Sequence, residues 1–426
     1  MQNNDLFNFK ATSDQCIKCG KCIPVCTIHN VNSDEVTSPR GFIDLLGAYQ
    51  DGELELDKRA KDIFESCFLC TNCVDICPIS LPTDMIIEQV RNDIRKKYGL
   101  AWFKRGFFYL LRHRFTMDVL FKLGYVFQTC GFKIQKEIES MEPRFSLPII
   151  KKNRLLPSLG KTSFLNAHPE NINNGGKRKV AIFIGCLGNY NYRQVGESLL
   201  SILKHLEIDA FLAKAQKCCS APAYFTGDFN TVDYLAKHNI EYFEQFIDDV
   251  EAIIIPEATC SAMIKIDYEH YFHDQPQWRD RAVKLSKKIF MATQWLEDNT
   301  DLDKLLQSKD KRNIAVTYHD PCHARKMQGI YEQPRRLISK NYTIKEMSDP
   351  NACCGFGGVT MQTEKYHFAK AAGVPKAAMI KQSGASVVSA ECSACRMQIN
   401  DSMYQANVDV EFKNPIELIA QVLEER

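Results

Sequence analysis

The stretches CIKCGKCIPVC (residues 16–26) and CFLCTNCVDICP (residues 67–78) share one spacing, C-x2-C-x2-C-x3-C, and hold eight of the chain's 18 cysteines. Thiols so dense are either a disulfide framework or metal ligands, and the redox compartment decides between them. Residues 1–10, MQNNDLFNFK, lack the charged-then-apolar order of a secretory leader. No run reaches the ~18 uncharged apolar residues that a spanning helix needs. The expectation is therefore a cytoplasmic protein whose cysteines ligate metal. Its 426 residues leave room for several domains at roughly 100–200 residues each. The 54 Lys+Arg against 52 Asp+Glu exert no global pull on nucleic acid, which is not expected as a partner. A hydrophobic share of 45% excludes wholesale disorder and collagen-like repeats.

The shared spacing is that of bacterial ferredoxins with two 4Fe–4S clusters, where the fourth cysteine of each run ligates the other cluster. On that rule one cluster takes Cys16, Cys19, Cys22 and Cys77, and the other takes Cys67, Cys70, Cys73 and Cys26. The small Gly20 is expected to let backbone amides approach the sulfides, and Thr27 stands where proline often follows such a run. A zinc ribbon needs only two C-x2-C pairs and leaves the remaining cysteines unexplained. Two clusters held by crossed ligation make an electron wire rather than a reaction centre. Between the runs, DEVTSPRGFIDLLGAYQDGELEL (34–56) predicts a helix entered through Pro39. Phe42, Leu45, Leu46 and Tyr49 lie on one face at i, i+3, i+4 and i+7.

From about residue 179 the chain repeats itself. VAIFIG (180–185) leads to Cys186, then Cys218-Cys219, then AIIIPEATC (252–260), ending at Cys260. NIAVTYHDPC (313–322) leads to Cys322, then Cys353-Cys354, then SVVSAEC (386–392), ending at Cys392. The three landmarks recur at offsets of 136, 135 and 132 residues. Short apolar runs alternate with helical stretches such as Val195–Leu206 and Lys365–Ser383, which predicts an α/β unit with a largely parallel sheet, present twice. The fold class is thus α/β: a mainly α-helical two-cluster module at residues 1–100, a basic aromatic segment and linker at 101–178, and two repeats at 179–300 and 301–426.

The second copy offers five thiols: Cys322, Cys353, Cys354, Cys392 and Cys395. Five sulfurs at strand ends and helix starts suit a cluster larger than one metal. The first copy offers Cys186, Cys218, Cys219 and Cys260, with Met263 in the fifth place. Four sulfurs suffice for a modified cluster or a structural zinc. A thioether supplies no charge to iron, so the second copy is expected to hold the redox-active centre and the first a structural or electronically distinct metal. His319, Asp320 and His323 flank Cys322. They either tune a cluster or cap the following helix and satisfy backbone groups; the second reading is preferred. The run GFGGV after Cys354 is not a phosphate-binding G-x-G-x-x-G and reads as backbone passing near a cluster. No dinucleotide fingerprint is present, so neither flavin nor NAD is expected on this chain, and no residue is assigned a catalytic role.

Paired CCG-type cysteine-rich repeats behind a two-cluster module resemble the iron–sulfur subunits of glycolate oxidase and of anaerobic glycerol-3-phosphate dehydrogenase. Supporting stretches are DEVTSPRG (34–41), FIGCLGNYNYRQVG (183–196), ATQWLED (292–298), YHDPCHARKMQG (318–329), ACCGFGG (352–358), ECSACRMQI (391–399) and NPIELIAQVL (414–423). The resemblance implies electron transfer from an FAD-containing partner through 4Fe–4S clusters toward quinone, with no catalysis by this chain alone. A more distant likeness is to the heterodisulfide reductase component whose five-cysteine motif holds a non-cubane cluster that splits disulfides. It implies a third, non-cubane cluster here and an alternative role as a disulfide reductase. A non-enzymatic, redox-responsive binding module is the third reading.

Residues 91–122 carry nine Lys/Arg and two Asp, interleaved with Trp102, Phe103, Phe107, Phe108, Tyr109 and Phe115. Such a segment either lies in a membrane interface, with Lys104, Arg105, Arg112 and Arg114 meeting anionic lipid, or packs its rings inward under a solvated charged face. The first reading makes the protein peripheral on the inner face of the cell membrane. The breaker-rich residues 143–178, with Pro143, Pro148, Pro157 and Pro169, read as a linker or boundary. Cys130, outside every motif, reads as a buried free thiol.

Overall fold

Ser38 accepts a hydrogen bond from the Gly41 amide at 3.0 Å, and Pro39 follows in the first turn, which starts the helix Pro39–Gln50 where the sequence predicts it. In this computed structural model, which describes residues 8–146 and 150–424, that helix buries Phe42, Ile43 and Leu46, while Leu45 and Tyr49 stay half-covered. The expected face is therefore rotated toward Ile43, because Phe64, Ile86, Ile87 and Val90 pack from that side. The helix Thr83–Tyr98 closes this all-helical module.

Each repeat is built on a sheet whose strands run in the spatial order second, first, third, fourth. In the first these are Ile208–Leu212, Arg178–Ile182, Ile253–Ile255 and Ile289–Met291, all parallel, with Asn171–Ile172 added antiparallel at one edge. In the second they are Thr343–Ile344, Ala315–Tyr318, Val387–Ser389 and Glu411–Lys413, all parallel. The order reverses at the first strand, and ligand sites in open α/β sheets form beyond the carboxyl ends of the strands at such a switch. Every CCG cysteine follows the first, second or third strand of its sheet. The helices Arg193–His205 and Tyr366–Gln382 match the predicted ones to within two residues.

The repeats share a core. Leu199, Ile202 and Leu203 of the first bury with Ile416, Ile419 and Leu423 from the last helix, Pro415–Glu424. Beneath it Arg396 pairs with Glu417 at 2.9 Å and with Glu139 at 2.8 Å. Glu139 lies just before residues 143–178, the segment read as a linker, whose start is instead tied into a three-stranded antiparallel sheet, Phe132–Gln135, Ser140–Pro143 and Leu156–Pro157. Proline sits at strand ends there, where no ladder bond is lost. Pro148 lies outside the described residues.

The helices Trp102–Arg112 and Arg114–Gly131 divide the two readings of the aromatic segment. Phe108, Leu111 and Met117 bury in the core of the first repeat. Trp102, Phe115 and Phe127 stay 67%, 82% and 63% exposed, beside exposed Val119, Leu123 and Val126. Cys130 is exposed on the same helix, not buried as expected, because its turn faces away from the core. Among the described residues, no helix is long and apolar enough to cross a membrane.

Candidate functional site

The two cysteine runs fold alike. The residues two and four places after each first cysteine adopt left-handed backbone: Lys18 and Gly20 in one run, Leu69 and Thr71 in the other. This winding turns three thiols toward one side. Gly20 is thus explained by its φ of +76°; a Cβ there would meet nothing nearer than 3.8 Å, so close approach is not its reason. One hollow is lined by Cys16, Cys19, Cys22, Cys73 and Cys77. The next is lined by Cys26, Cys67, Cys70 and Cys73. Each hollow brings together the four cysteines of one expected crossed set, and Cys73 lines both. Thr27, read as a minor departure, brings its hydroxyl within 3.4 Å of the Cys70 sulfur.

The donor set distinguishes a cluster from an ion. Thiolates at ~2.3 Å around one tetrahedral ion lie about 3.8 Å apart. Among the described residues, no three sulfurs of either set approach one another within 4.8 Å. Each set surrounds a space instead, which fits a cluster several atoms across. Burial pushes the Cys26 thiol up to about 12 and Cys67 up to about 11, so neither ionises near neutral pH without a cation to bind.

In the second repeat, Cys322 opens the helix Cys322–Gln328 directly beyond the first strand. Cys353 and Cys354 occupy the loop after the second strand. Cys392 caps Ser393–Gln405, its sulfur accepting from the Cys395 amide at 3.4 Å. The Cys354 and Cys395 sulfurs are 3.4 Å apart. The Gly355 amide donates to Cys353 Sγ at 3.4 Å with φ +91°, where a Cβ would press to 3.0 Å from the Ala369 carbonyl. GFGGV thus carries backbone past sulfur, as its sequence suggests. Asp320 is fully buried and binds Arg325 and Arg335, the latter at 2.6 Å, so it braces the loop. His323 Nδ1 stands 3.3 Å from Cys322 Sγ.

In the first repeat the side chains of Cys186, Cys218, Cys219 and Cys260 lie next to one another in series. Gly185, at φ +70°, lets the loop approach Cys260: a Cβ there would sit 3.0 Å from its sulfur. Met263 is fully buried in the apolar core. Leu111, Arg114 and Met117 of the aromatic helices line the hollow beside Cys186 and Cys218.

Contacts join these places. The Cys70 and Cys353 side chains come together against the core of the helical module. Lys326 Nζ donates to the Cys70 and Asn351 carbonyls, each at 3.3 Å, and to Asn72. Arg91, counted with the basic segment, is buried; it donates to the carbonyls of Cys67 and Phe225, each at 2.7 Å. Between the repeats, Thr259 Oγ1 lies 3.6 Å from Cys392 Sγ, and Glu257 accepts from the Ser393 amide at 2.6 Å. Nothing in the sequence singled out Lys326, Arg91 or Glu257. A polar or charged residue shielding a loop from another module has no local signature.

Cysteine-lined hollows in a helical module, backed by two sulfur-rich α/β repeats, define an iron–sulfur electron-transfer protein. A 4Fe–4S dicluster domain model matches residues 12–81, and a cysteine-rich domain model matches residues 180–265 and 316–400. The chain is 29% identical to a probable glycolate oxidase iron-sulfur subunit of Bacillus subtilis, over 81% of this chain and 79% of that protein. It is 32% identical to lactate utilization protein A of an Exiguobacterium species, over 58% and 97%. It is 26% identical to one component of the fumarate reductase (CoM/CoB) of Methanothermobacter marburgensis, over 95% and 71%. The chain belongs to this family of dicluster and CCG-domain iron–sulfur proteins, and its role is redox.

Proposed function

We propose that this protein is the electron-transfer subunit of a flavin-dependent glycolate or related 2-hydroxyacid dehydrogenase complex, with glycerol-3-phosphate as the other candidate substrate of its partner. Cys16, Cys19, Cys22 and Cys77 hold one 4Fe–4S cluster, and Cys26, Cys67, Cys70 and Cys73 hold the second. Cys322, Cys353, Cys354, Cys392 and Cys395 hold a third centre, and Cys186, Cys218, Cys219 and Cys260 hold a further cluster or zinc. Clusters so held supply one-electron carriers between a reduced flavin on another chain and quinone.

One observation carries this reading: the cysteine sites form an unbroken series. Cys73 borders both hollows, Cys70 reaches Cys353, and Thr259, next to Cys260, reaches Cys392. Lys326 fixes a positive charge where the second hollow meets the second repeat. Exposed Ile17, Ile76 and Ile79 around the first hollow suit a partner flavoprotein. The other end of the series lies under the exposed apolar helices, which suits a membrane face and quinone. Disulfide reduction at the five-cysteine site is the second reading, but Met263 leaves the first repeat without a fifth thiolate for two-site chemistry.

The purified chain, assayed without oxygen with an artificial acceptor, should oxidise none of glycolate, lactate or glycerol-3-phosphate. Activity should come with addition of the flavoprotein that co-purifies with it. Turnover by the isolated chain with no bound flavin would contradict the proposal.

A further inference from the structure

His319 is 1% exposed, and its Nδ1 lies 3.1 Å from the Pro350 carbonyl oxygen. A carbonyl only accepts, so the ring proton sits on Nδ1 and Nε2 presents a bare lone pair. That Nε2 is buried and has no hydrogen-bond partner. Buried polar atoms in native structures nearly always find a partner, and an orphan calls for an explanation such as a missing ion. One ring nitrogen of His319 and the sulfurs of Cys354 and Cys395 all lie within 4.8 Å of one another, the one such group of potential metal ligands among the described residues, and with Nδ1 turned to the Pro350 carbonyl, Nε2 is the nitrogen left to ligate. A metal-binding imidazole typically donates its other N–H to a backbone carbonyl, as Nδ1 does here.

The repeat supplies an independent argument. Carried back by the Cys322-to-Cys186 offset, His319 falls on Phe183, and Cys395 falls on Met263 by the offset of Cys392 to Cys260. The two donors that the first copy lacks are the two that meet at Cys354 in the second.

We propose that His319 Nε2, with Cys354 and Cys395, binds one metal of the second-repeat centre, making it a mixed nitrogen–sulfur site. This rests on the proposed iron–sulfur reading of that repeat. His323 is the competitor, since it contacts Cys322 rather than this group.

The test uses the full chain, purified without oxygen from cells fed 15N-histidine, and pulsed EPR of the signal that Cys353→Ser abolishes. A histidine nitrogen coupling should appear in the wild type, vanish in His319→Ala and survive His323→Ala. The midpoint potential of that signal should shift in His319→Ala while the ferredoxin signals keep theirs. His319→Cys should keep the metal content and lose the coupling, which separates lost ligation from lost folding. A second-repeat signal without the coupling, or a coupling lost only in His323→Ala, overturns the assignment. A folded protein with no metal beyond the two ferredoxin clusters overturns the iron–sulfur reading of the repeat, and this assignment with it.

Discussion

Asp267, Glu88 and His323 are all nearly closed off from solvent where the three modules meet, with Asp84 and the Tyr224 hydroxyl beside them. Burial raises Asp267 to about 7, Asp84 adds to the rise, and His323 opposes it. Burial and Asp267 also hold Glu88 well above the usual carboxylate range. The folded state keeps the Asp267 proton between about pH 4 and 7, whereas the unfolded chain gives it up near its ordinary ~3.9. Its contribution to stability is therefore fully present below about pH 4 and is lost as pH rises toward 7. The Tm of Asp267→Asn relative to wild type should then increase from pH 5 to pH 8. A difference that does not change with pH would refute a buried, protonated Asp267. This acid cluster was not visible in the sequence, because its members come from positions 84 to 323 with no shared spacing. The cysteines were visible because thiol spacing is itself the signal, although only contacts gave His319 its unpartnered nitrogen.

At the scale of elements, the aromatic helices need different chemistry from what their charge suggests. Lys104 is buried, 2.8 Å from Glu364 and 3.3 Å from the Thr360 hydroxyl. Arg112 stacks on Tyr234, and Arg114 donates to the Lys214 carbonyl at 2.5 Å. Of the four bases expected to meet lipid, only Arg105 stands exposed and without such a contact in this group. The outward face is apolar instead, so vesicle binding should survive high salt. Phe115→Asp with Val126→Asp should abolish flotation with anionic vesicles, while Arg105→Gln should hardly change it; release by salt alone would restore the electrostatic account. Lys104→Gln should cost about 1 kcal/mol of stability, since it unpairs the solvent-accessible Glu364 and the buried Thr360 hydroxyl, measured as a lower Tm. The amphipathic pattern announced helices, but not which face the first repeat would cover. The three-stranded sheet was illegible for a related reason. Its strands are two to four residues long and are fixed by distant groups, such as Asp401 accepting from the Leu155 amide at 2.8 Å.

Across the whole molecule, the order of the sites changes what the incomplete repeat should do. Thiol count alone assigns the first copy a structural or electronically distinct metal, outside the main route. Its position argues otherwise: Cys260 adjoins the second repeat through Thr259, and Cys186 and Cys218 border the helices with the exposed apolar face. On the proposed electron route, a site between the second repeat and the helices with the exposed apolar face is the last station of the series, not a side chamber. Cys353→Ser should leave the ferredoxin clusters reducible by the flavoprotein and abolish quinone reduction. Cys218→Ser should leave both the ferredoxin and second-repeat signals reducible and still abolish quinone reduction, with Tm lowered by loss of its metal. Stopped-flow reduction followed by freeze-quench EPR separates the two, since each variant should halt electrons at a different signal. Full quinone reduction by a folded Cys218→Ser protein would return the first repeat to a purely structural role and place the exit at the second.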